Sequence, residues 1–130
     1  MTFFFVGSAQ AQFVSAVAHR NPSAPEPPEI GPEPLDEDVL VFVDRTHEYN
    51  EIPAYLIGAQ VIMTANDNKG VSAYELDLTI VADCTVYVFV DNRMGGAAGG
   101  LGVDPVITGM AWLDADGYTD TGDDIGIDES

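Results

Sequence analysis

From residue 74 to residue 80 apolar and polar side chains alternate without a break. Tyr74, Leu76, Leu78 and Ile80 take one parity; Glu75, Asp77 and Thr79 take the other. A period of two sends the two sets to opposite faces of a strand, one dry and one wet. After a short interruption at Ala82 and Asp83, residues 84–90 place Val86, Tyr87, Val88, Phe89 and Val90 in succession, so both parities are apolar. Such a strand is expected in the interior of a sheet.

Other segments follow the same logic. Residues 39–44 form a short apolar run ending at Asp44, which suits a buried strand. Residues 55–64 are again β-rich, with Gly58 marking a bulge. Asn66, Asp67, Asn68, Lys69 and Gly70 have the composition of a tight turn. Asp91, Asn92 and Arg93 turn a corner into residues 94–102, a flexible loop with five glycines. Residues 106–108 start another strand, and residues 110–113 lead into an acidic segment. Helical spacing is confined to residues 9–18. Short strands separated by turns about every eight to twelve residues predict an all-β fold, an antiparallel β-sandwich of jelly-roll type.

Three regions are expected. Residues 1–11 read as the remnant of an export signal: an apolar start runs into Ala9, Gln10 and Ala11, the small-x-small form of a cleavage site. Residues 12–38 read as a Pro/Glu-rich linker. Its six prolines, at 22, 25, 27, 28, 32 and 34, remove amide donors and fix φ, favouring an extended spacer. Residues 39–130 form the β-sandwich domain. The chain stops within its acidic run, which reads as an incomplete C-terminus.

With 22 acidic residues against four basic ones, the net charge is −18. A chain so charged would approach nucleic acid or an anionic membrane against its own field. No stretch reaches the roughly eighteen apolar residues of a membrane helix, so no membrane insertion is expected. The single cysteine, Cys84, lies in an apolar run and reads as a small buried hydrophobe.

Catalytic patterns are weak. None of the five serines stands in a Gly-x-Ser-x-Gly setting, and His47 and Glu48 lack a second histidine at zincin spacing. Among 22 carboxylates any pair could be chosen for glycoside hydrolysis, so pairs discriminate nothing. His47 reads as a solvated or hydrogen-bonded loop histidine. Arg45 and Arg93 each adjoin an aspartate, Asp44 and Asp91, and are expected to lock strand corners.

The sharpest candidate is the end of the chain. Asp114, Asp116, Asp120, Asp123, Asp124 and Asp128 are interspersed with glycines at 117, 122 and 126. Dense carboxylate on a turn-forming backbone suits calcium, which takes about six to eight oxygens. Asp114, Ala115, Asp116 and Gly117 resemble the start of a calcium loop, but the twelfth position is Ile125, so no EF-hand is present. An irregular site could use Asp114, Asp116 and Asp120, or Asp120, Asp124 and Asp128. The competing reading is a solvated acidic loop. Trp112 and Tyr118 are candidates for stacking on a sugar ring, against the alternative that the lone tryptophan is core.

The combination of Val43, Asp44, Arg45, Thr46, His47, Glu48 and Tyr49 with residues 56–59, 64–69, 86–93 and 119–129 resembles the exported β-rich domain of bacterial PEP-CTERM sorting proteins. That resemblance covers residues 39–130. It implies export, a β-sandwich and no established catalysis. It also implies a C-terminal sorting tail, from which Pro-Glu-Pro at 25–27 and 32–34 is distinct. The expected function is a non-catalytic secreted or cell-envelope domain with a structural or matrix role, stabilised by calcium. The alternative is a carbohydrate-binding module for extracellular polysaccharide. Self-association through sheet edges is a further expectation.

Overall fold

The computed structural model describes residues 2–7 and 12–129. Among them are eight strands: β1 (Thr2–Val6), β2 (Val14–Arg20), β3 (Glu29–Ile30), β4 (Glu48–Asn50), β5 (Gln60–Met63), β6 (Glu75–Ile80), β7 (Thr85–Phe89) and β8 (Gly126–Asp128). All named strand pairs are antiparallel, and among the described residues only one α-helical turn and three short 3-10 turns lie between them, so the fold is all-β. β3, β5, β1 and β7, in that order, form a four-stranded sheet; β2 pairs with β6 and β4 with β8 as two-stranded ribbons.

β1 organises the interior. Phe4 stands opposite Val61 and Tyr87, and Phe3 opposite Ile62 and Val88. Alternation sends Phe4 into a cluster with Leu35, Val39, Val41, Tyr49, Leu56 and Val61. Phe5 goes to the other face, with Phe13, Val14 and Ile62, where Val17, Leu76 and Leu78 of the β2–β6 ribbon pack. Phe4 makes edge-on contacts with Tyr49 and Phe89 at 5.4 and 5.5 Å. Phe4 and Phe5 are both fully buried, each worth about 1.5–3 kcal/mol of hydrophobic stabilisation. The stretch read as a signal remnant thus supplies an inner strand of the sheet. The cleavage-like residues 9–11 lie outside the described residues.

The proline-rich segment is extended, as its φ restrictions require, but it is docked. Gly31 and Leu35 donate to the carbonyls of Val61 and Ala59, each at 2.8 Å, and the Leu35 carbonyl accepts from Gly58 at 2.8 Å. Ala24 and Leu35 are buried. An edge segment needs ladder bonds on one side only, so its prolines cost little there.

Two further differences have physical causes. Residues 14–20 form a strand where apolar spacing read as helical. A bulge between Val14 and Ala16 shifts the register, so Val14 and Val17, three apart, reach the same cluster. And β7, expected in the sheet interior, is its last strand. Its two apolar faces arise because a cluster covers each of them: Tyr87 and Phe89 meet one, Val86 the other.

Residues 39–44 contribute isolated bridges, Leu40 with Glu48 and Phe42 with Thr64, rather than a strand, while Val39 and Val41 are buried. Residues 106–108 form no strand.

Candidate functional site

The candidate residues follow Met110, whose side chain is buried. A single helical turn, α1 (Trp112–Ala115), comes next. Tyr118 donates its amide to the Leu113 carbonyl at 2.9 Å, and Gly117 donates to Asp114 at 3.1 Å. With Gly117 at φ +84°, this is the paired-bond Schellman ending of a helix, which needs a left-handed residue after its last turn. The Asp114–Gly117 pattern that resembled a calcium loop is therefore used as a helix stop. The reversal brings Tyr118 back onto Trp112, their rings edge to face at 6.0 Å and 86°.

Trp112 is 37% exposed and belongs to neither core cluster. The core reading of the lone tryptophan is overturned. Trp112 and Tyr118 form a surface aromatic pair, with the exposed Asp114 and Asp116 beside them in sequence. Burial, and then the Asp116 charge, hold the Tyr118 hydroxyl above its usual pKa, so it remains a neutral donor.

The other aspartates go to separate partners. Asp120 Oδ1 accepts from the Gly122 amide at 2.8 Å, closing a local turn. Asp123 Oδ2 accepts from the Tyr55 hydroxyl at 3.0 Å, and the Tyr55 ring lies 5.2 Å from that of Tyr87. Asp124 accepts the Gly102 amide, fastening the glycine loop to the acidic segment. Asp128 is a strand residue of β8, in register with Glu48. Gly126 makes that pairing feasible, since a Cβ there would collide with the Asn50 side-chain oxygen. Among the described residues no three His, Cys, Asp or Glu side chains converge so as to hold a metal ion. Neither proposed aspartate trio is assembled in this arrangement.

The three arginines are spent internally. Arg20 pairs with Glu75 and Asp77 across β2 and β6, and Arg45 with Asp44 and Asp67. Arg93 pairs with Asp91 and Glu129. The Asp44 side chain is only 5% exposed and accepts the amides of Asn66 and Asp67 at 2.7 and 3.1 Å. Arg45 and Arg93 thus lock their corners, as their sequence neighbours implied.

His47 differs from its reading: it is half-buried, set edge-on to Phe42 at 5.9 Å, with Nδ1 lacking a hydrogen-bond partner. The Ser23 hydroxyl donates to the Asp67 carbonyl at 2.7 Å, a structural role. Cys84 is half-buried, and burial pushes its thiol pKa up. Sequence reasoning missed Tyr55, which no local signal links to Tyr87 or Asp123.

No protein-family model, curated protein or solved structure matches the chain. Among the described residues no helix is long and apolar enough to cross a membrane.

Proposed function

We propose that this chain is a non-catalytic, secreted or cell-envelope domain with a matrix-associated role, holding polysaccharide at Trp112 and Tyr118. The observation that supports this reading is the exposure of Trp112, with the half-buried Tyr118 ring set against it. A β-domain that used its rings only for packing would bury them, and a large aromatic left at the surface beside carboxylates has a use for both features. The apolar face of a sugar ring stacks on an indole, while Asp114 and Asp116 offer acceptors to its hydroxyls.

Charge narrows the ligand. A surface with net charge −18 favours neutral polysaccharide over an anionic one. The motif resemblance to the exported PEP-CTERM domain supports placement outside the cytoplasm. Calcium belongs to the same reading as a stabiliser of the acidic segment, whose carboxylates repel one another when bare; self-association through a sheet edge is its protein partnership.

Affinity electrophoresis in gels cast with neutral or acidic polysaccharide tests the proposal. Retardation by a neutral polymer, lost in Trp112→Ala and Tyr118→Ala variants of unchanged fold, is expected. Equal mobility in every gel overturns the glycan role. A thermal melt in EDTA and then in increasing calcium tests the stabiliser: the midpoint should climb with calcium and not with magnesium.

A further inference from the structure

Tyr55 and Tyr87 form a second aromatic pair, and its chemistry differs from that of Trp112 and Tyr118. Tyr55 lies on the 3-10 turn Ala54–Leu56 and is 41% exposed, while Tyr87 is half-buried on β7. Their ring centroids are 5.2 Å apart and the planes are tilted at 42°, which is van der Waals contact. Beside them, Asp123 Oδ2 accepts from the Tyr55 hydroxyl at 3.0 Å. A phenol gives up an electron readily only if its proton leaves as well, and a hydrogen-bonded carboxylate is placed to take that proton. Among the described residues no other two tyrosine rings meet: Tyr49 lies against Phe4, Tyr74 against His19 and Tyr118 against Trp112.

We propose that Tyr55 and Tyr87 are a site of oxidative cross-linking, joined as dityrosine by a one-electron oxidant of the haem-peroxidase class supplied with hydrogen peroxide. The exposed Tyr55 gives one electron to the oxidant and its hydroxyl proton to Asp123, leaving a neutral phenoxyl radical. Tyr87 refills that radical with an electron and a proton across the ring contact, and Tyr55 is then oxidised a second time. The two radicals couple through the carbons ortho to their hydroxyls. The hydrogens on those carbons move to the oxygens and restore both phenols. In sum the chain loses two hydrogens and one peroxide becomes two waters. Contact between the rings gives coupling within the chain a high effective concentration, which encounters between separate chains do not match. With Cys84 as its sole cysteine, the chain has no disulfide open to it within itself. A bond from Tyr55 to Tyr87 closes a loop of about thirty residues and constrains the unfolded chain as a disulfide would. The cross-link does not rest on the polysaccharide reading, since it uses neither Trp112 nor Tyr118.

Tryptic mapping of the whole chain, after treatment with a haem peroxidase and limiting hydrogen peroxide, is the test. Cleavage after Arg45, Lys69 and Arg93 separates Tyr55 from Tyr87. A joined peptide of residues 46–69 and 70–93 is expected, two hydrogens lighter than its parts and carrying the blue fluorescence of dityrosine. It should vanish in Tyr55→Phe and in Tyr87→Phe. It should persist in Tyr74→Phe, whose altered residue shares a peptide with Tyr87. Asp123→Asn, which still accepts the hydrogen bond but not the proton, should slow the coupling about tenfold. The wild-type map depends on the folding of no variant. Absence of the joined peptide, its survival without the Tyr55 or the Tyr87 hydroxyl, coupling mainly between chains, or an unchanged rate in Asp123→Asn would each overturn the proposal.

Discussion

The side-chain amide of Gln60 pairs with the backbone of Val14 as a neighbouring strand would, accepting from its N–H at 2.8 Å and donating to its carbonyl at 3.0 Å. The same oxygen accepts the Phe13 amide at 2.9 Å. A single side chain of the central sheet therefore clasps the β2–β6 ribbon where it leaves the described apolar cluster around Phe5.

Replacing Gln60 by Met, similar in shape and without the amide, strands three half-buried backbone groups. The expected loss is about 2–3 kcal/mol, read as a fall in urea midpoint with unchanged slope.

Asn68 does the same for the proline-rich segment. It is 5% exposed, and its oxygen accepts the amides of Ser23 and Ala24 at 2.8 and 3.0 Å. Asn68→Ala should cost about 1–3 kcal/mol. Hydrogen exchange at the Ser23 and Ala24 amides should accelerate before that of the core strands, since the segment peels locally.

The environment of Trp112 predicts its fluorescence. Emission should be that of a partly exposed indole, quenched well by neutral acrylamide. Iodide should quench poorly and caesium well, because the surrounding carboxylates repel an anion and gather a cation. Trp112→Ala should cost roughly 1 kcal/mol or less.

Gly117→Ala forces a side chain into the left-handed region at φ +84°. A cost of about 1 kcal/mol is expected. With the helix stop weakened, Tyr118 should lose its set against Trp112, and retention by neutral polysaccharide should fall without loss of the core.

Asp91 gives a pH signature. The hydrogen-bonded Arg93 guanidinium holds its carboxyl below the ordinary value of 3.8. A depressed folded-state pKa contributes stability present above the unfolded value and lost as pH falls through the folded one. A carboxyl-carbon NMR titration should therefore show Asp91 protonating below the ordinary aspartate value, and Arg93→Gln should raise its midpoint.

Much of this architecture was legible in the residues. The alternation at 74–80 is β6, the apolar run at 84–90 contains β7, and the Asn-rich turn at 66–70 is a 3-10 turn. What could not be read was context. A strand with both faces covered looks the same whether it is inner or last in its sheet, because composition reports faces and not edges. Phe3, Phe4 and Phe5 look the same in a leader as in an inner strand. The bulge at Val14 imitates a helical period, and the glycine after Asp116 imitates a metal loop while stopping a helix. At the candidate site, Trp112 and Tyr118 were named from the sequence, but their meeting depends on that stop. The dispersal of the aspartates depends on partners far along the chain, such as Tyr55 and Gly102.

The position of β1 has a consequence for how the protein is made. Its neighbours in the sheet are β5 and β7, which follow it by more than fifty and nearly eighty residues. During synthesis Phe3, Phe4 and Phe5 stay without sheet partners until β5, and then β7, has emerged. The loops that join these strands impose their closure entropy before any core contact offsets it. Closure of the sheet is thus deferred until β7 has been made, and until then three consecutive phenylalanines of an otherwise acidic chain are open to a chaperone.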